Sequence, residues 1–220
     1  MNNTNYGRLT VGLIAAWFVF AFSAAAFHLF NTDPNLPPLA LGLAALTPIV
    51  VFLVWFATST GFRQFALSLD TRTLTLVHSW RAVVGFTFLV LYARGMLPGI
   101  FALPAGWGDI AIGVTAPLAA FKLANVSRRR GFILWQILGV VDLVTALTLG
   151  PVATLINPHE VGTSMMTVLP MSLIPTFAVP LLIALHVIGI VQAKGWKEMQ
   201  SVQDGERLPR RPMRGAGLTA

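Results

Sequence analysis

The chain has 220 residues, 55% of them hydrophobic and only 10% charged, with mean hydropathy +0.74 and net charge +7. A soluble domain carries about 25% charged residues, so the composition excludes a soluble globular fold, and its apolar content excludes a disordered chain. With no cysteine, disulfides, thiolate metal sites, iron–sulfur clusters and thiol redox chemistry are excluded too.

A polytopic membrane protein remains, of a length for one domain or at most two small ones. A helix needs about 20 mostly apolar residues to cross the hydrocarbon core. Six runs qualify, in order Leu9–Phe30, Leu39–Ala57, Leu74–Leu97, Trp107–Ala124, Phe132–Gly150 and Pro170–Ala193. They are continuously apolar, whereas barrel strands alternate over about 10 residues. The expected fold is therefore all-α, a six-transmembrane-helix bundle over residues 1–194, with a disordered basic cytoplasmic tail at 195–220.

Between the spans, basic residues alternate sides. Arg8 precedes the first span, and the loop Asn31–Pro38 has no Lys or Arg. Arg63 and Arg72 follow the second span, and Pro98–Gly106 has none. Lys122 ends the fourth and Arg128, Arg129 and Arg130 follow it, Pro151–Leu169 has none, and Lys194, Lys197, Arg207, Arg210, Arg211 and Arg214 crowd the tail. Of 15 basic residues, Arg81 and Arg94 fall within spans and Lys122 sits in the last turn of the fourth. Both termini are thus expected in the cytoplasm, the positive charge facing the anionic inner leaflet. There is no soluble basic domain for nucleic acid. A signal peptide cut after Ala24-Ala25-Ala26 would leave five spans, but the apolar run continues through Phe27, Leu29 and Phe30.

Smaller features follow in chain order. Thr60–Thr73 alternates Phe62, Phe65, Leu67 and Leu69 with Arg63, Gln64 and Asp70. It reads either as an interfacial stretch or as a solvated loop. Pro98, Gly99, Pro104 and Gly106 break helices, so Pro98–Gly106 is expected to dip back into the protein. Gly85, Gly113 and Gly139 sit mid-span, where small residues let helices pack closely. In the last span Pro180 should free a carbonyl and bend the helix. Trp107 near the outer boundary, and Trp80 and Trp196 near the inner one, read as interfacial anchors.

The chemical information lies in ionisable groups within spans, which are costly and are usually paired or water-facing. They include His28, Arg81, Arg94, Asp109, Asp142 and His186. A rise of about 1.5 Å per residue puts Arg81 and His186 at one height, about 10 Å above the inner boundary, with Asp142 near the middle. Arg94, Asp109 and His28 fall near the outer surface. An inner group of Arg81, Asp142 and His186 and an outer group of Arg94, Asp109 and His28 are expected. Each could be a pair that fixes helix register, or a polar cavity for a solute, an anion or a proton, with His186 able to titrate.

Paired histidines raise haem ligation, with His78 and His186 as an inner pair and His28 and His159 as an outer one. His159 with Glu160 supplies only two metal ligands, too few for a site. No phosphate loop, HExxH or GxSxG occurs, so no enzyme and no cofactor is indicated.

The block Arg81-x-x-x-Gly85-x-x-Phe88-Leu89, with Gly95-x-Leu97-Pro98-x-x-Phe101-Ala102-x-Pro104-Ala105-Gly106-x-Gly108-Asp109, Asp142 and Ile174-Pro175-x-Phe177-x-Val179-Pro180 leading to His186, resembles an uncharacterised family of small multi-span bacterial integral membrane proteins. The resemblance runs from Arg81 to Gln192. It implies a bacterial inner-membrane location and a multi-span helical fold, and it transfers no activity. The leading expectation is a small transporter or solute-binding membrane protein with ligand-binding residues Arg81, Asp142 and His186, and Asp109 at an outer mouth under Pro98–Gly106. The alternatives are an accessory subunit of a membrane complex and a haem-binding redox protein. The partners are the bilayer, a small solute or ion, and either a second copy or a membrane partner.

Overall fold

The computed structural model describes residues 3–31, 36, 38–156 and 162–206. Its helices are α1 (Asn3–Ala26), α2 (Leu39–Thr58), α3 (Thr60–Leu67), α4 (Thr71–Leu76), α5 (Arg81–Ala93), α6 (Gly99–Leu118), α7 (Arg129–Ile156) and α8 (Val179–Glu206), with no strand among the described residues. A 3-10 turn at Val77–Trp80 joins α4 to α5, and π turns at Ala119–Leu123 and Ile174–Ala178 extend α6 and lead into α8. Six segments are long and apolar enough to cross a membrane: Asn5–Ala26, Leu39–Thr58, Thr71–Ala93, Gly99–Leu123, Val126–Ile156 and Ile174–Trp196.

The distribution of side chains is inverted relative to a water-soluble fold. Val11, Phe20, Leu43, Val83, Phe86 and Val114 are all exposed, while Arg81 is 1%, Asp109 6% and His186 0% exposed. Such a surface suits hydrocarbon, and it makes this a multi-pass membrane protein. The core is the hairpin of α5 on α6, extended by α7 and α8; α2 lies against α8, and α1 against α3 and the π turn before α8. The α6 stripe that meets α5 and α7 is almost all small, running Ala102, Ala105, Gly106, Gly113, Ala116, Ala119 and Ala120. Close backbone approach replaces large-side-chain packing there.

Pro98–Gly106 is not a re-entrant loop. Pro98 caps α6, and the helix runs straight through Pro104. Tertiary packing overrides the breakers: Gly85 lies so close to α6 that a Cβ there would meet the Gly106 carbonyl oxygen, with Asp109 Cβ at 2.9 Å. On the other side of that corner α5 stops at Ala93, short of Leu97, because Gly95 (φ +67°) turns the chain. Its N–H donates to Tyr92 O at 2.9 Å, and Met96 N–H donates to Leu91 O at 2.8 Å, a Schellman ending.

Thr60–Thr73 folds into α3 and α4. Ser59 and Asp70 cap them, each side chain accepting a backbone N–H three residues on. Hydrogen bonds from Thr73 to its carboxylate hold Asp70 below the usual carboxylate range. Arg63 donates to Phe56 O at 3.0 Å and Ala57 O at 2.7 Å, closing the end of α2. Phe62 and Ala66 are buried with Phe56 and Ile188.

Pro180 lies in the first turn of α8, directly behind the π turn. The carbonyl it cannot serve, Thr176 O, accepts Trp17 Nε1–H from α1 at 3.0 Å. Residues 195–206, expected to be disordered, continue α8; Lys, Glu, Met and Gln are good helix formers. Residues 207–220 and the His159–Glu160 pair lie outside the described residues.

One end of the bundle collects Arg8, Arg63, Arg72, Lys122, Arg128, Arg129, Arg130 and Lys194. Tyr6 stacks on Phe65, α4 packs on α8 and on the π turn at Ala119–Leu123, and Arg129 Nε donates to Ala193 O at 2.7 Å. Arg94 ends α5 at the opposite end and is exposed.

Candidate functional site

Each of the four central helices contributes one ionisable side chain near the middle of its span, and all four meet. Arg81, the first residue of α5, is the hub. Its Nε donates to Asp109 Oδ1 of α6 at 2.6 Å, its Nη2 donates to Asp142 Oδ2 of α7, and its Nη1 donates to His186 Nε2 of α8 at 3.2 Å. The guanidinium fork suits this task because its donors point in fixed, divergent directions. Arg81 brings one positive charge against two carboxyl groups, so with both ionised the cluster would carry one negative charge in excess. Asp142 is its more open member, with 15% of its side chain exposed against 9% for Asp109.

The contacts fix the histidine tautomer. Arginine can only donate, so His186 Nε2 is an acceptor and the ring proton sits on Nδ1, which donates to Gln136 Oε1. His186 is a neutral link between Arg81 and Gln136. His78, in the turn before α5, stacks on it with ring centroids 3.8 Å apart and 24° between planes. Trp135 lies edge-on to His78 at 5.8 Å and donates its Nε1–H to Thr115 Oγ1 at 2.9 Å.

Glycines make the room for these contacts. A Cβ at Gly108 would fall on Asp142 Oδ1, and one at Gly139 would fall on the His186 ring. A Cβ at Gly189 would meet the Gln136 amide. Two rows have a spacing of three, Gln136–Gly139–Asp142 on α7 and His186–Gly189–Gln192 on α8, which keeps each row on one helix face.

The inner group expected from sequence, Arg81, Asp142 and His186, is brought together. The outer group is not. Asp109 joins Arg81 rather than Arg94, since α6 begins at Gly99 and so carries Asp109 about 12 Å deeper than a span starting at Trp107 would. Asp109 is therefore at no outer mouth. His28 is exposed, in a turn beyond α1 at φ +56°. The inner haem pair is excluded by geometry, because His78 and His186 are in direct stacking contact with no layer for a porphyrin between them.

Gln136, Trp135 and Gly108 carry no charge, so the ionisable groups within spans do not point to them. The spacing of Gln136 and Asp142 about Gly139 was the available signal. The sequence model of one family, a domain of unknown function (DUF8737), matches residues 36–193 and so spans the whole cluster. No curated protein and no solved structure matches the chain.

Proposed function

The chain belongs to the DUF8737 family, which brings no activity with it, and we propose from the geometry of the cluster that it is a small transporter-type membrane protein that binds and exchanges a proton at Arg81, Asp109 and Asp142. The observation that carries this reading is the charge count. One arginine faces two largely buried carboxylates, and an uncompensated buried charge costs several kcal/mol. A proton on one carboxyl removes the excess. It needs only one oxygen, whereas a divalent metal ion needs several around it. An anion is disfavoured, because each guanidinium nitrogen already serves an acceptor and two carboxylates flank it.

Infrared spectra of the protein in lipid nanodiscs test this. At neutral pH the wild type should show the C=O band of a protonated carboxyl. Asp109→Asn or Asp142→Asn should each remove it, since either change restores one charge of each sign. A wild type with no such band sinks the reading. Engagement of all three Arg81 guanidinium nitrogens supports a second reading, in which the cluster fixes helix register in an accessory subunit; there the band is absent.

The segregation of basic residues to one end supports a cytoplasmic position for that end and for both termini. The resemblance noted above supports the bacterial inner membrane. Because the chain has no native cysteine, single replacements report cleanly. Ser127→Cys in intact cells should resist a membrane-impermeant thiol reagent, and Ser164→Cys at the opposite end should react. The reverse pattern would invert the topology.

A further inference from the structure

We propose that His78 is a proton relay serving the Arg81 cluster from the end of the bundle that carries α3 and α4. His78 is 1% exposed, yet neither ring nitrogen has a hydrogen-bond partner among the described residues. A buried imidazole without partners is unusual, and neither helix packing nor the cluster's own hydrogen bonds account for it. The inference rests on the proton-binding reading above and adds the route by which the proton comes.

The route is legible in the packing. Thr71, Thr75, His78 and Arg81 follow one another at spacings of four, three and three, so they line one face of the third span. Thr75 and His78 are each 1% exposed. At the lower end Thr71 Oγ1–H donates to Gln192 Oε1 at 2.9 Å, and Gln192 Nε2 donates to Leu67 O and Leu69 O at 3.1 and 2.7 Å. Gln192 is one end of the α8 row that leads through Gly189 to His186. A polar track therefore runs from the α3–α4 junction to the cluster. Past Arg81 the same face of α5 turns to Val84, Gly85 and Phe88.

The groups facing His78 are His186 of α8, stacked on it, and neutral Trp135 of α7, edge-on to it; Arg81, three residues on in its own span, holds the carboxylates of Asp109 from α6 and Asp142 from α7. His186 cannot relay, because both of its nitrogens are engaged. His78 can. It takes a proton on one ring nitrogen and gives up the proton on the other toward the carboxyl pair. It then returns to its first tautomer, so one proton is moved and no other bond changes.

The test is hydrogen–deuterium exchange of the carboxyl band in nanodiscs. His78→Phe should leave the band's amplitude as in wild type, which also shows that the fold is retained, and slow its exchange by about 100-fold. His78→Gln keeps hydrogen-bonding atoms but cannot carry a proton, and it should be as slow. Wild-type exchange in either variant overturns the relay while leaving the carboxyl reading intact. A second measurement does not need the band. In protein with nitrogen-15 histidine, the His78 ring N–H should exchange with bulk deuterium far faster than that of His186. Equal, slow exchange at the two rings overturns the relay even if the carboxyl reading has already failed.

Discussion

Arg81→Ala should abolish most of the folded protein recovered in detergent, whereas Arg94→Ala should be nearly silent. Removing Arg81 leaves two carboxylates facing one another with no cation and takes the donor from His186 Nε2. Breaking a buried pair by deleting one partner costs about 3–5 kcal/mol, which in a chain of this size is a fall of about 10 °C or more in melting temperature. Arg94 is exposed at the end of α5, and surface changes of that kind stay within about 0.5 kcal/mol. Arg81→Lys should fall between, close to alanine. It retains the charge, but one ammonium on a flexible stem cannot hold three acceptors on three helices in the directions the fork serves. Melting curves of the three variants check the order; equal losses at Arg81 and Arg94 would mean that the cluster does not hold the bundle together.

Much of this architecture was legible in the chain because hydropathy reports directly on the lipid-facing surface. Long apolar runs and the alternation of Lys and Arg mark six helices and two ends. Depth was harder to read. Arg81, Asp142 and His186 were placed at compatible heights because their spans have clear boundaries. Asp109 was misplaced because Pro98, Pro104 and Gly106 look like a loop on local propensity, while close packing on Gly85 keeps them helical. The tail is mixed: Arg, Pro and Gly beyond residue 206 give the whole of 195–220 a disordered composition, while its first part continues α8. Gln136 escaped notice because it carries no charge. Its part depends on His186 needing an acceptor for Nδ1–H, a demand that exists only once the helices are assembled.

That dependence on assembly also sets the last prediction. Glycine to alanine in a helix is ordinarily stabilising, because alanine has the higher propensity by about 1 kcal/mol. Gly12 and Gly42 have no atom of the described residues within 4 Å of where a Cβ would go, so Gly12→Ala and Gly42→Ala should melt at or slightly above the wild type. At Gly139 the added methyl would fall on the His186 ring, and at Gly108 on Asp142 Oδ1. Neither neighbour is free to yield, since His186 is held between Arg81 and Gln136 and Asp142 is held by Arg81. Overpacking of this kind costs about 1–3 kcal/mol, and here it also stretches hydrogen bonds to a buried charge. Gly139→Ala and Gly108→Ala should therefore both melt below the wild type, reversing the sign seen at Gly12 and Gly42. The coupling is separable from mere bulk by a double-mutant cycle, because residues in contact do not add. Once His186→Ala has removed the ring, Gly139→Ala should cost little more, whereas its cost should persist in an Arg94→Ala background. Additive losses at Gly139 and His186 would show that the close approach of α7 and α8 does not set the position of the imidazole.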